Sequence, residues 1–377
     1  MARLPRRELL DQAEVGVYHC INRCVRRAFL CGQDFVTGKN YDYRKEYVRR
    51  RMEFLAGRFG LDVLSYTVMS NHLHVMLRNR PDVVAQWSDE EVARRWLELF
   101  PTRRNPDGTM AEPNETELQM ITSDPEKLAE RRRRLSDVSW FMRCLCEPIA
   151  RIANKEDECT GRFWEGRFKC QRLLDESAVL ACSVYVDLNP VRAKVAATPR
   201  TSDYTSAQDR IHGEQLRQQP QLATSSAESP SKPAKDNQTK RRGSGSEVQP
   251  DGWLSPVELA KELPVSEPTK SREARSKPRA ARTSDKGFLP MSLSQYLKLL
   301  DWTGRQARRE KPGTIPPELS PILTRIGVSS DAWVETVLNF GRWFHRAAGR
   351  VQSLADEAAR RGQQWLQGVN HSRKAFA

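Results

Sequence analysis

The run GVYHCINRCV at 16–25 reads as a strand. YDYRKEYVRRRMEFLAGRFG at 41–60 has the spacing of an amphipathic helix ended by Gly60. LDVLSYTVMSNHLHVMLRN at 61–79 divides into two strands joined by a tight turn near Met69 to Asn71. A polar stretch follows from about 79 to 136, holding the helix-like SDEEVARRWLELF and the basic run Arg131 to Arg134. Beyond it SWFMRCLCEPIARIANKEDE reads as helix and GRFWEGRFKCQRLLD as extended chain. ESAVLACSVYVDLN reads as a helix up to Pro190, which cannot continue one comfortably. This order of elements predicts an α+β fold with helices on one face of a sheet.

The same patterning divides the chain into three zones. Residues 1–200 carry the alternating apolar segments and form the expected catalytic domain, with the 79–136 stretch as an insertion. Residues 201–285 are rich in Ser, Pro, Gln, Lys and Arg and poor in apolar side chains that could offset ordering entropy. They are expected to be a basic, mostly disordered linker, with one short helix in DGWLSPVELAKELP. From 286 to 377 apolar residues return at helical spacing, predicting a small helical domain. Trp302, Trp333, Trp343 and Trp365 are its expected core anchors, and its role is left open by the pattern.

Composition narrows the partner. A formal net charge of +14 suits a polyanion, because each Lys or Arg set against a phosphate releases counterions. A basic solvated surface without a ligand is the alternative from charge alone. No apolar run is long enough to span a bilayer and the first residues lack a secretory core, so a cytoplasmic location without membrane contact is expected. The 8 cysteines show no CxxC spacing and are expected to be reduced thiols rather than a zinc ribbon or a disulfide framework.

The chemistry concentrates in two short segments. In Asn71-His72-Leu73-His74-Val75, strand alternation sends both imidazoles to one face and Leu73 and Val75 to the other. Two imidazoles on one rigid face are half of a site for a divalent metal, Mg²⁺ or Mn²⁺ where phosphoryl transfer is the task. In SVYVDLNPVRA, Tyr185 and Asn189 stand four apart, which on a helix is one face. Tyr185 is then the nucleophile and the Asn189 carboxamide oxygen the third metal ligand. A buried aromatic and a helix C-cap before Pro190 would give the same letters. A tyrosine hydroxyl is a weak nucleophile at neutral pH and needs the metal or a cation such as Arg167 or Arg192 beside it.

The segments YHCINRCVRRAFL, YTVMSNHLHVMLR, GRFWEGRFKCQRLLDE and YVDLNPVRAKV occur in this order over about residues 15–197. The series resembles the motifs of single-tyrosine HUH transposases, most of all the REP-associated tyrosine transposases. The insertion departs from the compact members, and the chain beyond 200 lies outside the resemblance. What the resemblance implies is a ferredoxin-like antiparallel sheet and a metal-assisted transesterification on single-stranded or hairpin DNA through a 5′-phosphotyrosine, with strand transfer as the outcome. His72 and His74 match the histidine pair, Tyr185 the nucleophile, and Asn189 the place of a third ligand. Asn22 and Arg23 resemble positions near the DNA, and Arg167 in GRFWEGRFK joins them with Arg192 as expected phosphate contacts. A monomer is expected, with no small-molecule substrate. Three other readings stay open: a domesticated hairpin DNA-binding regulator, a metal-dependent phosphodiesterase with no covalent intermediate, and a relaxase-type nickase.

Overall fold

Alternation along the expected strands builds one sheet. In the computed structural model, which describes residues 10–25, 30–34, 38–225, 249–259, 281–307 and 315–376, β1 (Val17–Arg23), β2 (Leu61–Val68), β3 (His72–Asn79) and β4 (Lys169–Leu173) pair antiparallel in the order β2-β3-β1-β4. A two-residue strand, β5 (Ala347–Ala348), extends the sheet to five by pairing parallel with β4. The fold is mixed α/β around this single sheet. The β2–β3 turn forms where expected, closed by Met69 N–H to the His72 carbonyl at 2.8 Å and pinned by Leu30 N–H donating to Ser70 O at 2.7 Å.

The helices cover both faces of the sheet, not one. Tyr18, Cys20, Val63, Leu73, Val75 and Leu77 bury one face against α1 (Tyr43–Ala56) and α6 (Val138–Glu156). The insertion between β3 and α6 folds as α2 (Pro81–Ala85), α3 (Asp89–Leu99), α4 (Glu115–Thr122) and α5 (Pro125–Leu135), all packed on that core. Leu64, Met76 and Leu173 bury the other face beneath α7 (Glu176–Asp187). The cause is written in β2, where every residue of LDVLSYTV is buried: both parities are occupied by groups that must leave water, and a bulge between Val63 and Ser65 shifts the register.

Pro190 does not end helical structure. α7 breaks at Leu188 and α8 (Asn189–Arg192) starts at once, with Pro190 in its first turn, where the missing N–H has no partner to lose. Within the expected linker, α9 (Ser206–Ser225) forms and covers the exposed edge of β2. There the Ser206 hydroxyl accepts from Tyr66 N–H at 3.1 Å, and Arg210 Nη2 donates to Leu64 O at 2.6 Å. Trp253 is buried in the first core, and Ser255 N–H donates to Val63 O at 2.9 Å. The helix expected in DGWLSPVELAKELP is absent up to residue 259, where the chain runs as turns and a bridge from Glu258 to Leu289; its remainder lies outside the described residues, as does most of 226–280.

The 286–377 segment forms α10 (Leu293–Gln306), α11 (Ser320–Arg325), α12 (Ser330–Trp343), α13 (Val351–Arg360) and α14 (Val369–Ala375). It is not a separate domain, because Tyr296, Trp333, Val337 and Phe340 share one core with α7. Of its four tryptophans, Trp302 and Trp333 are buried, whereas Trp365 is 69% exposed. No helix of the described residues is long and apolar enough to cross a membrane. The described cysteines form no disulfide, and only Cys159 is exposed.

Asp187 ties these pieces together. Its buried carboxylate accepts from the Ser206 hydroxyl, from Ala207 N–H at 3.1 Å and from Tyr296 Oη at 2.6 Å, joining α7 to α9 and α10. Burial pushes this carboxyl above its ordinary range, opposed by Arg210 and these donors. Asp187→Ala strands three buried donors, and a loss of about 3 kcal/mol in urea unfolding is the expected cost. A loss under about 0.5 kcal/mol, the ordinary range for surface changes, would mean the network is idle.

Candidate functional site

Register decides which side chains meet. Across β1 and β3, Ile21 stands opposite His74, Arg23 opposite His72 and His19 opposite Met76, so Arg23, His72, His74 and His19 share the face under α7. Asn22 pairs with Leu73 and therefore points to the other face. The helix pair α7–α8 then lays Tyr185 and Asn189 over this face, so the break at Leu188 does not separate them from the histidines. The His74 ring lies 4.9 Å from His72, 5.1 Å from His19 and 5.7 Å from Tyr185, centroid to centroid.

The hydrogen bonds assign the protons. Asn71 Oδ1 can only accept, so the 2.5 Å contact makes His72 Nδ1 the donor and leaves Nε2 with its lone pair free to bind. Gln171 Oε1 stands 3.4 Å from His19 Nδ1 and likewise can only accept, which makes His19 Nε2 an acceptor. His74 Nδ1 donates to it at 2.8 Å, and the lone pair of His74 is therefore on Nε2. Asn189 Nδ2 donates to that lone pair at 3.0 Å.

Electrostatics keep these imidazoles neutral. Burial, reinforced by the Arg23 guanidinium, lowers His72 to about 4. Burial lowers His19 to about 4 against a small opposing effect of Gln171. His74 falls well below the usual histidine range, first through burial and then through His19, His72, Arg192 and Arg23. A neutral imidazole with a fixed lone pair is the form that ligates metals.

Two imidazoles and one amide are what the cluster could offer a divalent ion. Among the described residues no group of three or more His, Cys, Asp or Glu is set to hold a metal; the possible third ligand is an amide. Turning the Asn189 head by 180° brings Oδ1 to the lone pair of His74, an arrangement that repels unless a cation lies between them.

Tyr185 is 9% exposed. Its ring packs 5.6 Å from Phe340, and a methyl group at Gly341 would come within 2.6 Å of its Oη. The hydroxyl thus sits in a niche that glycine leaves open in α12. Arg192, expected at DNA phosphates, places its guanidinium 4.4 Å over the Tyr185 ring and donates from Nη2 to Leu338 O at 2.8 Å. Arg23 is exposed at the rim beside His72. Asn22 and Arg167 do not join this cluster. They line a cleft of about 750 Å³ against α6 with Arg143, Arg162 and Trp164.

No family model matches the chain, and no curated protein does. Among solved structures, that of a REP-associated tyrosine transposase bound to a REP hairpin is similar, with 10% identity over 55% of this chain and 82% of the other and a TM-score of 0.32. Similarity at that level is distant, and the functional reading rests on the side chains themselves. His19 is the residue that sequence reading overlooked. It stands in YHCINR at the parity of Arg23, and only the pairing of β1 with β3 reveals that it adjoins His74.

Proposed function

We propose that this chain cleaves and rejoins single-stranded DNA, at hairpin-forming repeats, through a phosphotyrosine on Tyr185. The observation that carries the reading is the convergence of His72, His74, Asn189 and Tyr185 from three separate elements into one buried cluster. His72, His74 and Asn189 would hold Mg²⁺ or Mn²⁺, whose chemistry is to offset charge on a non-bridging phosphate oxygen. The Tyr185 oxygen attacks phosphorus, a new O–P bond forms, the bond to the 3′ oxygen breaks, and the leaving strand keeps a free 3′-hydroxyl. Attack by a second 3′-hydroxyl on the phosphotyrosine reverses the step and joins new ends. Arg192 Nε is buried beside Tyr185 without a hydrogen-bond partner among the described residues, a donor that an incoming phosphate oxygen would satisfy.

Two further features support parts of this reading. The strand order β2-β3-β1-β4, with α1 and α6 connecting strands, supports the ferredoxin-like part of the reading. Tyr185 lies 5.7 Å from His74 of its own chain, centroid to centroid, which supports a monomer as the working unit. Asn22 and Arg167, in the cleft against α6, are then contacts for DNA beyond the scissile phosphate. The cover over Tyr185 favours one competing reading, a hairpin-binding regulator that does not cut. The test is a denaturing gel of the full chain incubated with end-labelled hairpin oligonucleotides and Mn²⁺. A covalent protein–DNA band is the expected result. Cleaved strand without adduct would mean hydrolysis by water, and retention without cleavage would mean the regulator.

A further inference from the structure

His19 is buried at 1% exposure, is no ligand in the proposed set, and lies between Gln171 of β4 and His74 of β3. A buried imidazole in a sheet costs free energy unless both nitrogens are used. Both are used here, and in one direction: Gln171 Oε1 accepts from Nδ1, so Nε2 accepts from His74 Nδ1. Once the Asn189 head turns its oxygen toward the ion, His19 is the acceptor that keeps the proton off Nε2; without it neutral His74 could carry its proton there and present no lone pair. The rings of His19 and His74 are also near-parallel, 14° apart, with centroids 5.1 Å apart across the 2.8 Å contact, so they lie edge to edge in one plane and the bond fixes the plane of His74.

We infer that His19 is a positioning residue: set by Gln171, it holds His74 in the Nδ1–H tautomer and so aims the Nε2 lone pair at the ion shared with Asn189. This rests on the metal site proposed above and adds to it a cross-strand relay, Gln171 to His19 to His74. Backbone carbonyls often orient metal-ligating histidines; here a second histidine does so, because β1 runs between β4 and β3 and its side chain reaches both.

The test is calorimetric titration of Mn²⁺ into the full chain without DNA, so that catalysis is not the readout. His19→Phe keeps the ring volume and removes the acceptor; a 10- to 100-fold weaker affinity, on the order found for outer-shell partners, is expected. His19→Gln returns an acceptor oxygen near the Nε2 position and is expected to recover most of the loss. Melting temperature in chelator reports folding of each variant; should His19→Phe melt early, Gln171→Leu carries the test, with a smaller loss in the same direction. Wild-type affinity in folded His19→Phe, or no recovery in His19→Gln, overturns the relay while leaving the metal site standing. Absence of Mn²⁺ binding in the wild type overturns both.

Discussion

Tyr185→Phe is expected to lower strand cleavage on the order of 10⁴-fold or more, as loss of a covalent nucleophile does, with hairpin binding within about twofold of wild type. The substitution removes only the oxygen. The ring keeps its contacts with Phe340, His74 and the Arg192 guanidinium, so stability should change by less than about 1 kcal/mol. Single-turnover cleavage of a labelled hairpin, beside a binding titration at the same salt, separates the effects. Residual cleavage within tenfold of wild type would assign Tyr185 to the core and leave the histidines to hydrolysis by water.

Gly341→Val is the second large effect. The first side-chain carbon would fall 2.6 Å from the Tyr185 hydroxyl and 3.3 Å from its Cζ, closer than real contacts allow, so the phenol must leave its niche. Displacement of a reacting group by about 1 Å costs roughly 100-fold in rate, and that loss in adduct formation is expected with hairpin affinity unchanged. A wild-type rate would show that Tyr185 swings clear of α12 to react. A rate above wild type would identify α12 as a cover that the substitution lifts. Each outcome is read from one gel time course.

Gly341 also shows how far the sequence could be read. The strands, their turn, the α1 and α6 helices and the parity of His72 and His74 follow from local alternation, and the structure forms them. Tyr185 and Asn189 were legible by spacing alone, and they reach the histidines although Leu188 breaks their helix. What local patterning could not show is contact between distant segments. α12 meets Tyr185 more than 150 residues along the chain, and no periodicity in DAWVETVLNFGRWF announces that its glycine faces a phenol. For the same reason 286–377 was expected to be separable, whereas it shares its core with α7. Cutting it away to test DNA affinity alone would expose that core. The uniform burial of β2 was a readable sign of a sheet covered on both faces, and reading it as a one-sided pattern misplaced the helices. Arg192 was read as a phosphate contact because arginine suits that role; that its guanidinium also lies over the Tyr185 ring is visible only in the fold.

The most direct test of the central claim is to trap the reaction of the full chain with a hairpin oligonucleotide and Mn²⁺, digest protein and DNA, and find the modified peptide by mass spectrometry. The account predicts a nucleotide phosphate on Tyr185 and on no other tyrosine, with the released strand ending in a 3′-hydroxyl. A modification at another residue, or cleaved DNA with every peptide unmodified, would contradict it.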